Sequence, residues 1–483
     1  MARKKICGLN RREFFALSGA TAAAVGMAHG GGDGIGPVIG EPPCRFKFPE
    51  RRRAKVCVVF AHRPSGNATW PTKNYDYDAR RKKLTKKLQA GCPGTDFVVQ
   101  VAHSREEAQK ILETHKDVDG FAVYMIGIWT GVADTIMQSG VPTIVIDDLY
   151  AGSGEMLGPG PKIRKDNLRA ALISSSDFDD VIRGIGWLET IAAMKGAKII
   201  NVKDRDIRGQ IENVKNVFGT EMVQMKSDEL VKRYEGACEE MAAKWADYWA
   251  AGADRVLEPK REDLLKSGKI HAAFCKAIED YEADAITMDC LGMFYGNKID
   301  AYPCLSFFEM LNQGLTGVCE SDVDSTTTFL LVRFLSGRPG FISDPVIDTS
   351  TNEIIYAHSV GTNRVFGAEA KPNPYVIRSH AEDEQGAAIQ SLMPLNETVT
   401  TARVALGDKR LMVHTGRTTR NVFETKACRT KLAAEADTEM LLRNWTRGWH
   451  RVTFYGDYRK DLVNLAQLLG LGAIEEDRHW AQV

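Results

Sequence analysis

The sequence predicts an α/β protein: two doubly wound parallel-sheet units followed by a C-terminal, mainly antiparallel β domain of barrel-like form. Three observations carry this. Short continuous apolar runs such as residues 56–61 alternate with helical segments at the spacing of βαβ units. A second series of the same kind begins at Ala197. From Phe341 the pattern changes to short alternating segments separated by turn signals such as Gly407-Asp408. The expected divisions are a leader and linker at 1–45, a first α/β domain at 46–180, a second at 181–338 and a β-rich domain at 339–483.

In the first domain, residues 56–61 read as a buried strand, 77–88 as a charged helix and 96–102 as a second strand. A helix at 104–115 starts on Ser104, and strands at 119–126 and 142–146 flank a helix at 131–139. His62-Arg63-Pro64 follows the first strand. Ligands approach such sheets at the carboxyl ends of strands, so His62 and Arg63 are candidate sugar-binding residues, reaching across a subunit boundary; an ordinary satisfied loop is the other reading. A long amphipathic helix at 177–194 leads into the second domain. Its strands are expected at 197–202, 221–225, 285–289 and 317–320, with helices at 227–250 (two), 269–284 and 303–313. The β-rich domain follows with strands at 353–360, 375–378, 398–406, 409–415 and 451–455, closed by a helix at 457–469.

Composition narrows the function classes. The 483 residues include 63 basic and 63 acidic side chains, so no net positive charge draws the chain to nucleic acid. Ten cysteines contain no Cys-x-x-Cys pair, which excludes a zinc ribbon or thioredoxin-like motif; they read as scattered thiols, some able to pair in an oxidising compartment. At the N-terminus, Arg3-Lys4-Lys5 and Asn10-Arg11-Arg12-Glu13-Phe14-Phe15 precede a mild apolar stretch and small residues at Gly26-Met27-Ala28. This is the pattern of a twin-arginine leader, with the translocase as a partner and a periplasmic or otherwise exported destination. A basic tail on a cytoplasmic protein is the alternative. Removing 1–28 leaves 58 basic and 62 acidic residues, a charge suited to a soluble exported protein. The glycine-rich stretch at 30–43 has no strand before it and reads as a tether, not a phosphate loop.

Residues 319–358 hold the candidate chemistry. Cys319-Glu320-Ser321-Asp322-Val323-Asp324 precedes a helical run to Ser336, and its acids and hydroxyls suit the free N–H groups of a helix start. Asp322 and Asp324 therefore read as caps. Asp344, in Phe341-Ile342-Ser343-Asp344-Pro345, is expected where a short strand gives way to a turn, and His358 at the end of the next strand. Carboxylates and an imidazole at the ends of elements can converge on one cleft, and such donors suit a hard divalent cation. Solvated caps and surface acids are the plainer reading of the same residues. Further on, His414 reads as a hydrogen-bonded core histidine, and His450, flanked by Trp449, as part of a pocket wall.

Glu320 in Cys-Glu-Ser-Asp, Asp344 in Phe-Ile-Ser-Asp-Pro, His358 in Ala-His-Ser and Gly448-Trp449-His450-Arg451-Val452 together resemble the L-fucose/L-arabinose isomerase family. The likeness covers about the last two-thirds of the chain and rests on the order and spacing of four residues. It implies a homo-oligomeric sugar isomerase in which Glu320, Asp344 and His450 hold Mn²⁺, or another divalent cation such as Mg²⁺ or Co²⁺. His358 would lie nearby as a substrate-oxygen partner. Apart from the resemblance, Trp445 and Trp449 are aromatic residues of the kind that suit the apolar faces of sugars, with core packing as the other reading. Glu320 and Asp344 would also exchange a proton between C1 and C2 through an enediolate. The sequence departs from the family at Ser321, where glycine is usual, and at Asp324-Ser325-Thr326-Thr327, which replaces a small, apolar helix start. An exported sugar-binding protein, or a repurposed isomerase fold without isomerase activity, is the alternative.

Overall fold

The computed structural model describes residues 41–48, 51–66 and 69–479. The leader motif and most of the glycine-rich tether lie outside the described residues. Within them the chain forms two compact units, residues 50–196 with 467–470, and 197–466 with the remaining C-terminal residues and the segment before residue 50.

The first unit is built on β1 (Ala54–Ala61), β2 (Thr95–Ala102), β3 (Gly120–Met125), β4 (Thr143–Asp147) and β5 (Ala170–Ser174). All are parallel, in the order β2-β1-β3-β4-β5. The central strands β1, β3 and β4 are buried almost throughout, which is why they read as unbroken apolar runs. Strand β5 escaped the sequence reading because Ala170-Ala171 gives a weak apolar signal. Helix Phe178–Lys195, expected to lead into the second domain, packs on β1, β4 and β5 and belongs to the first unit. The first unit therefore runs to Gly196.

The second unit contains both the second parallel sheet and the C-terminal β domain. The sheet uses β6 (Lys198–Val202), β7 (Glu221–Met225), β9 (Ala285–Met288) and β10 (Thr316–Val318), in the order β10-β9-β6-β7. The two-residue β8 (Arg255–Val256) instead joins β13 (Tyr375–Arg378) and β14 (Ala388–Ser391) in a small sheet. The antiparallel strands β11 (Phe341–Asp348), β12 (Glu353–His358), β15 (Thr398–Ala405), β16 (Arg410–Asn421), β17 (Thr430–Glu435) and β18 (Arg451–Tyr455) close into a six-stranded barrel through the β15–β16 pairing. A last strand, β19 (Gly472–Glu475), adds parallel to β16 after helix Arg459–Leu469.

Helix Val323–Ser336 joins sheet to barrel, since it packs on β9 and β10 and also on β15 and β18. One apolar core follows from this, running from Ile286, Phe307 and Val318 through Phe329 to Ile342 and Val452 of the barrel. Each such large buried side chain contributes about 1.5–3 kcal/mol relative to exposure. Sheet and barrel thus share one apolar core, which runs across residue 338. Among the described residues no helix is long and apolar enough to cross a membrane.

Candidate functional site

Glu320 lies two residues past the end of β10, at the carboxyl edge of the second sheet. Glu320 and Ser321 both take left-handed backbone angles, φ 65° and 54°. Two consecutive non-glycine residues in that region cost of order 1–3 kcal/mol each and need outside support. The Ser321 N–H donates to the Met288 carbonyl at 2.9 Å, and its hydroxyl donates to Asn201 Oδ1 at 2.7 Å. Both partners belong to the neighbouring strand ends. A sharp turn results, and Glu320 is carried out of the sheet at its apex.

Asp322 then starts helix Val323–Ser336, accepting from the Ser325 N–H at 3.0 Å as the sequence leads one to expect of a cap. It does considerably more. Its Oδ2 also accepts from Ser325 Oγ (2.7 Å), from Arg403 Nη1 (3.0 Å) and from His450 Nδ1 (2.8 Å). Arg403, on β15, also reaches Asp324 at 3.2 Å and the His450 carbonyl at 3.3 Å. The Asp322 carboxyl is held well below the usual range. Burial opposes this, and the His450 hydrogen bond and the Arg403 charge outweigh burial.

The barrel supplies the other side chains from three adjacent strands. Ser343 of β11 pairs with Arg451 of β18, so the antiparallel register sets Asp344 opposite His450. His450 Nε2 lies 3.0 Å from Asp344 Oδ1 and 3.6 Å from Glu320 Oε2. On the other side of β11, Asp344 pairs with Ala357, next to His358 at the end of β12. His358 Nε2 lies 3.7 Å from Glu320 Oε1. Cys428 approaches Asp344 Oδ2 with its Sγ at 4.0 Å.

Asp344 corrects one expectation. It does not end a short strand before a turn, because β11 continues through Pro345 to Asp348. The proline is tolerated since β11 pairs with β18 only over Phe341–Ser343, leaving that side free of a ladder further on. Glu320, read as the last residue of its strand, lies just beyond it.

The four side chains Glu320, Asp344, His358 and His450 therefore converge. Glu320, His358 and His450 each offer a ligand atom within 4.8 Å of the other two. His358 and His450 are buried, yet both ring nitrogens of His358 and Nε2 of His450 have no aligned hydrogen-bond partner. Buried imidazole nitrogens of this kind cost free energy unless something accepts or binds them. With carboxylates beside them, their donor chemistry fits a divalent cation. Protonation is the competing state: His450 is raised to about 9, because Asp322 and Asp344 outweigh the desolvation that lowers it. Glu320 and Asp344 are both held below the usual carboxylate range, since the adjacent histidines outweigh burial in each case.

The remaining candidates have other surroundings. Trp449 is 69% exposed, with its ring 6.2 Å from that of His450, so it is not a packed wall. His62 and Arg63 belong to the first unit. His62 is buried and stacked on Tyr77 at 3.9 Å, while Arg63 donates to the Trp129 carbonyl at 3.1 Å beside a cavity of about 600 Å³ lined also by His103 and Arg105. His414 is a core histidine, held between Tyr356 (2.9 Å) and Glu476 (3.0 Å).

The chain is similar to a sugar isomerase. It is 25% identical over 272 residues to sulfoquinovose isomerase of Priestia aryabhattai, and equally to that of Priestia megaterium (strain ATCC 12872 / QMB1551). The alignment covers 54% of this chain and 59% of each relative, so the chain spans about three-fifths of the length of the relatives it matches. No family model matches.

Proposed function

We propose that the protein is a divalent-metal-dependent aldose–ketose isomerase, with Glu320, Asp344 and His450 as the residues that hold Mn²⁺ or a similar cation. The observation that carries this reading is a pair of buried imidazoles set against two ionised carboxylates, with His450 Nε2 and both ring nitrogens of His358 lacking an aligned hydrogen-bond partner. The similarity to sulfoquinovose isomerase supports the reaction class. A cation bound there would stabilise negative charge developing on adjacent sugar oxygens.

The protein's own residues account for the rest. Glu320 and Asp344 are ionised at neutral pH, so either can take the proton from C2 of an aldose and return it to C1. Asp322 holds His450 with Nδ1 as donor, which leaves Nε2 directed at the two carboxylates. His358 is available to a sugar hydroxyl. Trp449 offers an apolar face at the rim, and His62 and Arg63 are assigned to sugar binding on the first unit. The substrate class is an aldose of the fucose or arabinose type. Export by the twin-arginine translocase and a homo-oligomeric state complete the reading, on the leader motif and the family resemblance respectively.

The test is turnover with Mn²⁺ in D₂O, using L-fucose, L-arabinose and sulfoquinovose. A proton carried on a carboxylate exchanges with solvent, so the ketose should hold deuterium at C1. Complete retention of the substrate hydrogen refutes the roles of Glu320 and Asp344. Sugar binding without turnover on any aldose favours the binding-protein alternative.

A further inference from the structure

We propose that His380 is a substrate-binding residue that hydrogen-bonds a sugar hydroxyl at the end of the aldose away from Glu320, Asp344 and His450, a role that rests on the isomerase reading.

His380 stands in the loop between β13 and β14, in the same compact unit as the carboxylate–histidine cluster. It is only 7% exposed, and its buried Nδ1 lacks an aligned hydrogen-bond partner. Such a nitrogen costs free energy unless a bound group completes it. Packing holds the ring in place. It stacks on Tyr302 with centroids 4.2 Å apart, and Tyr302 stacks in turn on Phe294 at 4.0 Å. The Tyr302 hydroxyl donates to Asp383 at 2.6 Å. The loop also closes on itself: the His380 N–H donates to the Gln385 carbonyl at 2.8 Å, and the Glu384 N–H to the His380 carbonyl at 3.0 Å.

Strand pairing brings this loop beside the cluster. His358 ends β12, and one residue on, the Ser359 carbonyl accepts from the Ile389 N–H of β14 at 3.1 Å. Ile389 in turn pairs with Ile377 of β13. Two strand spacings, about 10 Å, therefore separate the end of β12 from the end of β13. His380 lies two residues past that end. Arg429 fixes the loop from the barrel side, donating to the Ser379 carbonyl at 2.8 Å and to Ser379 Oγ at 3.1 Å. The residue before it, Cys428, has its Sγ 4.0 Å from Asp344 Oδ2. Charge reaches across the same gap. Burial lowers His380 most, Glu382 and Asp383 oppose it, and His358 is near enough to lower it further. Two residues past Tyr302, burial raises the Cys304 thiol, and Cys290, Cys428 and Glu320 add to the rise.

The chemistry suits a hydroxyl. Held below the usual histidine range, the His380 ring is uncharged at neutral pH and offers one N–H donor and one acceptor. A sugar hydroxyl likewise donates and accepts. An aldose placed with C1 and C2 between Glu320 and Asp344 extends its remaining carbons along the wall formed by His358, Cys428 and the loop, so a later hydroxyl meets His380.

The test uses the full chain loaded with Mn²⁺, as wild type, His380→Ala and His380→Gln. It reads KM and kcat on L-fucose, L-arabinose and sulfoquinovose, calorimetric affinity for L-fucitol and L-arabinitol, and Mn²⁺ affinity. The alditols keep the hydroxyls but cannot be isomerised. In His380→Ala, KM should rise and alditol affinity fall by about tenfold, the loss of one well-made hydrogen bond, with kcat changed less and Mn²⁺ affinity unchanged. His380→Gln, which keeps a donor and an acceptor, should recover part of the loss. Unchanged KM and alditol affinity in His380→Ala overturn the proposal, and so does a joint loss of sugar and Mn²⁺ affinity, which marks a structural role. Wild type that binds an alditol but turns over no aldose refutes the isomerase reading alone, and the alditol affinities of the variants then decide the role of His380. Wild type that binds neither alditol and turns over no aldose overturns both.

Discussion

Replacing Asp322 with asparagine separates a helix cap from a residue that holds the site together. A cap alone is worth about 1 kcal/mol, and asparagine caps nearly as well as aspartate. On that view Asp322→Asn is almost silent. The geometry demands more, because the same carboxylate accepts from Arg403 at 3.0 Å and from His450 at 2.8 Å. The two side chains of the Arg403 pair are only 11% and 13% exposed, so solvent screens it little. Neutralising one partner of a buried pair typically costs 3–5 kcal/mol. Arg403 keeps Asp324, so the lower figure applies, about 3 kcal/mol. Loss of the acceptor that orients a metal-binding histidine typically costs 10–100-fold in metal affinity. Urea denaturation of the metal-free protein, with a Mn²⁺ titration of the folded variant, measures both. A stability loss of about 1 kcal/mol or less, with Mn²⁺ affinity unchanged, would show that Asp322 is only a cap.

Three further outcomes are expected. Glu320→Gln, Asp344→Asn and His450→Ala should each lower Mn²⁺ content in protein purified without chelators while circular dichroism stays native-like; full occupancy in all three places the site elsewhere. His450 titrates near 9 in the folded chain against about 6.5 unfolded, so its stabilising contribution is complete below pH about 6.5 and is lost as pH rises through 9. Metal-free protein should therefore lose up to about 3 kcal/mol across that window, while Mn²⁺ affinity climbs as binding displaces the proton; parallel urea and metal titrations at pH 6.5 and 9 that show no change count against the assignment. At Ser321, glycine relieves the left-handed strain but loses the 2.7 Å bond to Asn201, so Ser321→Gly should lie within about 1 kcal/mol of wild type and Ser321→Ala should cost more. Equal losses in the two variants would remove strain from the account of that turn.

The architecture was legible where the chemistry of burial is periodic. Strands β1, β3, β4, β6 and β9 stand within a residue or two of their apolar runs, because a strand covered on both faces has no polar side to blur the pattern. Strand β5 was lost to two alanines, and helix Arg208–Phe218 to a sequence whose only large buried side chains are Val214 and Phe218. Pro345 misled in the opposite direction. A proline argues for a turn unless one edge of its strand is unpaired at that point, and pairing with β18 cannot be read locally. The core shared across residue 338 was hidden for a related reason: helix Val323–Ser336 carries apolar side chains to both a sheet and a barrel, and one helix's periodicity does not reveal two partners.

The candidate site shows the same division between composition and geometry. Glu320, Asp344, His358 and His450 could be picked out as residues of the right chemical type, but the relations that give them meaning span the chain. Asp322 and His450 are 128 residues apart, and only the strand order of the barrel sets His450 beside Asp344. That order also explains why Glu320, His358 and His450 lie at or just beyond the ends of elements, while Asp344 lies within β11 just past its pairing with β18. Side chains on the faces of β11, β12 and β18 are taken up by the barrel interior, as Tyr356 and Arg451 are by His414 and Glu476. Helix Val323–Ser336 brings the carboxyl edge of the second sheet to the barrel's end, with Asp322 at its start bonded to His450 and Glu320 in the turn before it. The strained Glu320-Ser321 turn is therefore a consequence of serving two layers at once: the chain must leave β10, present a carboxylate to the barrel's end, and enter a helix within five residues.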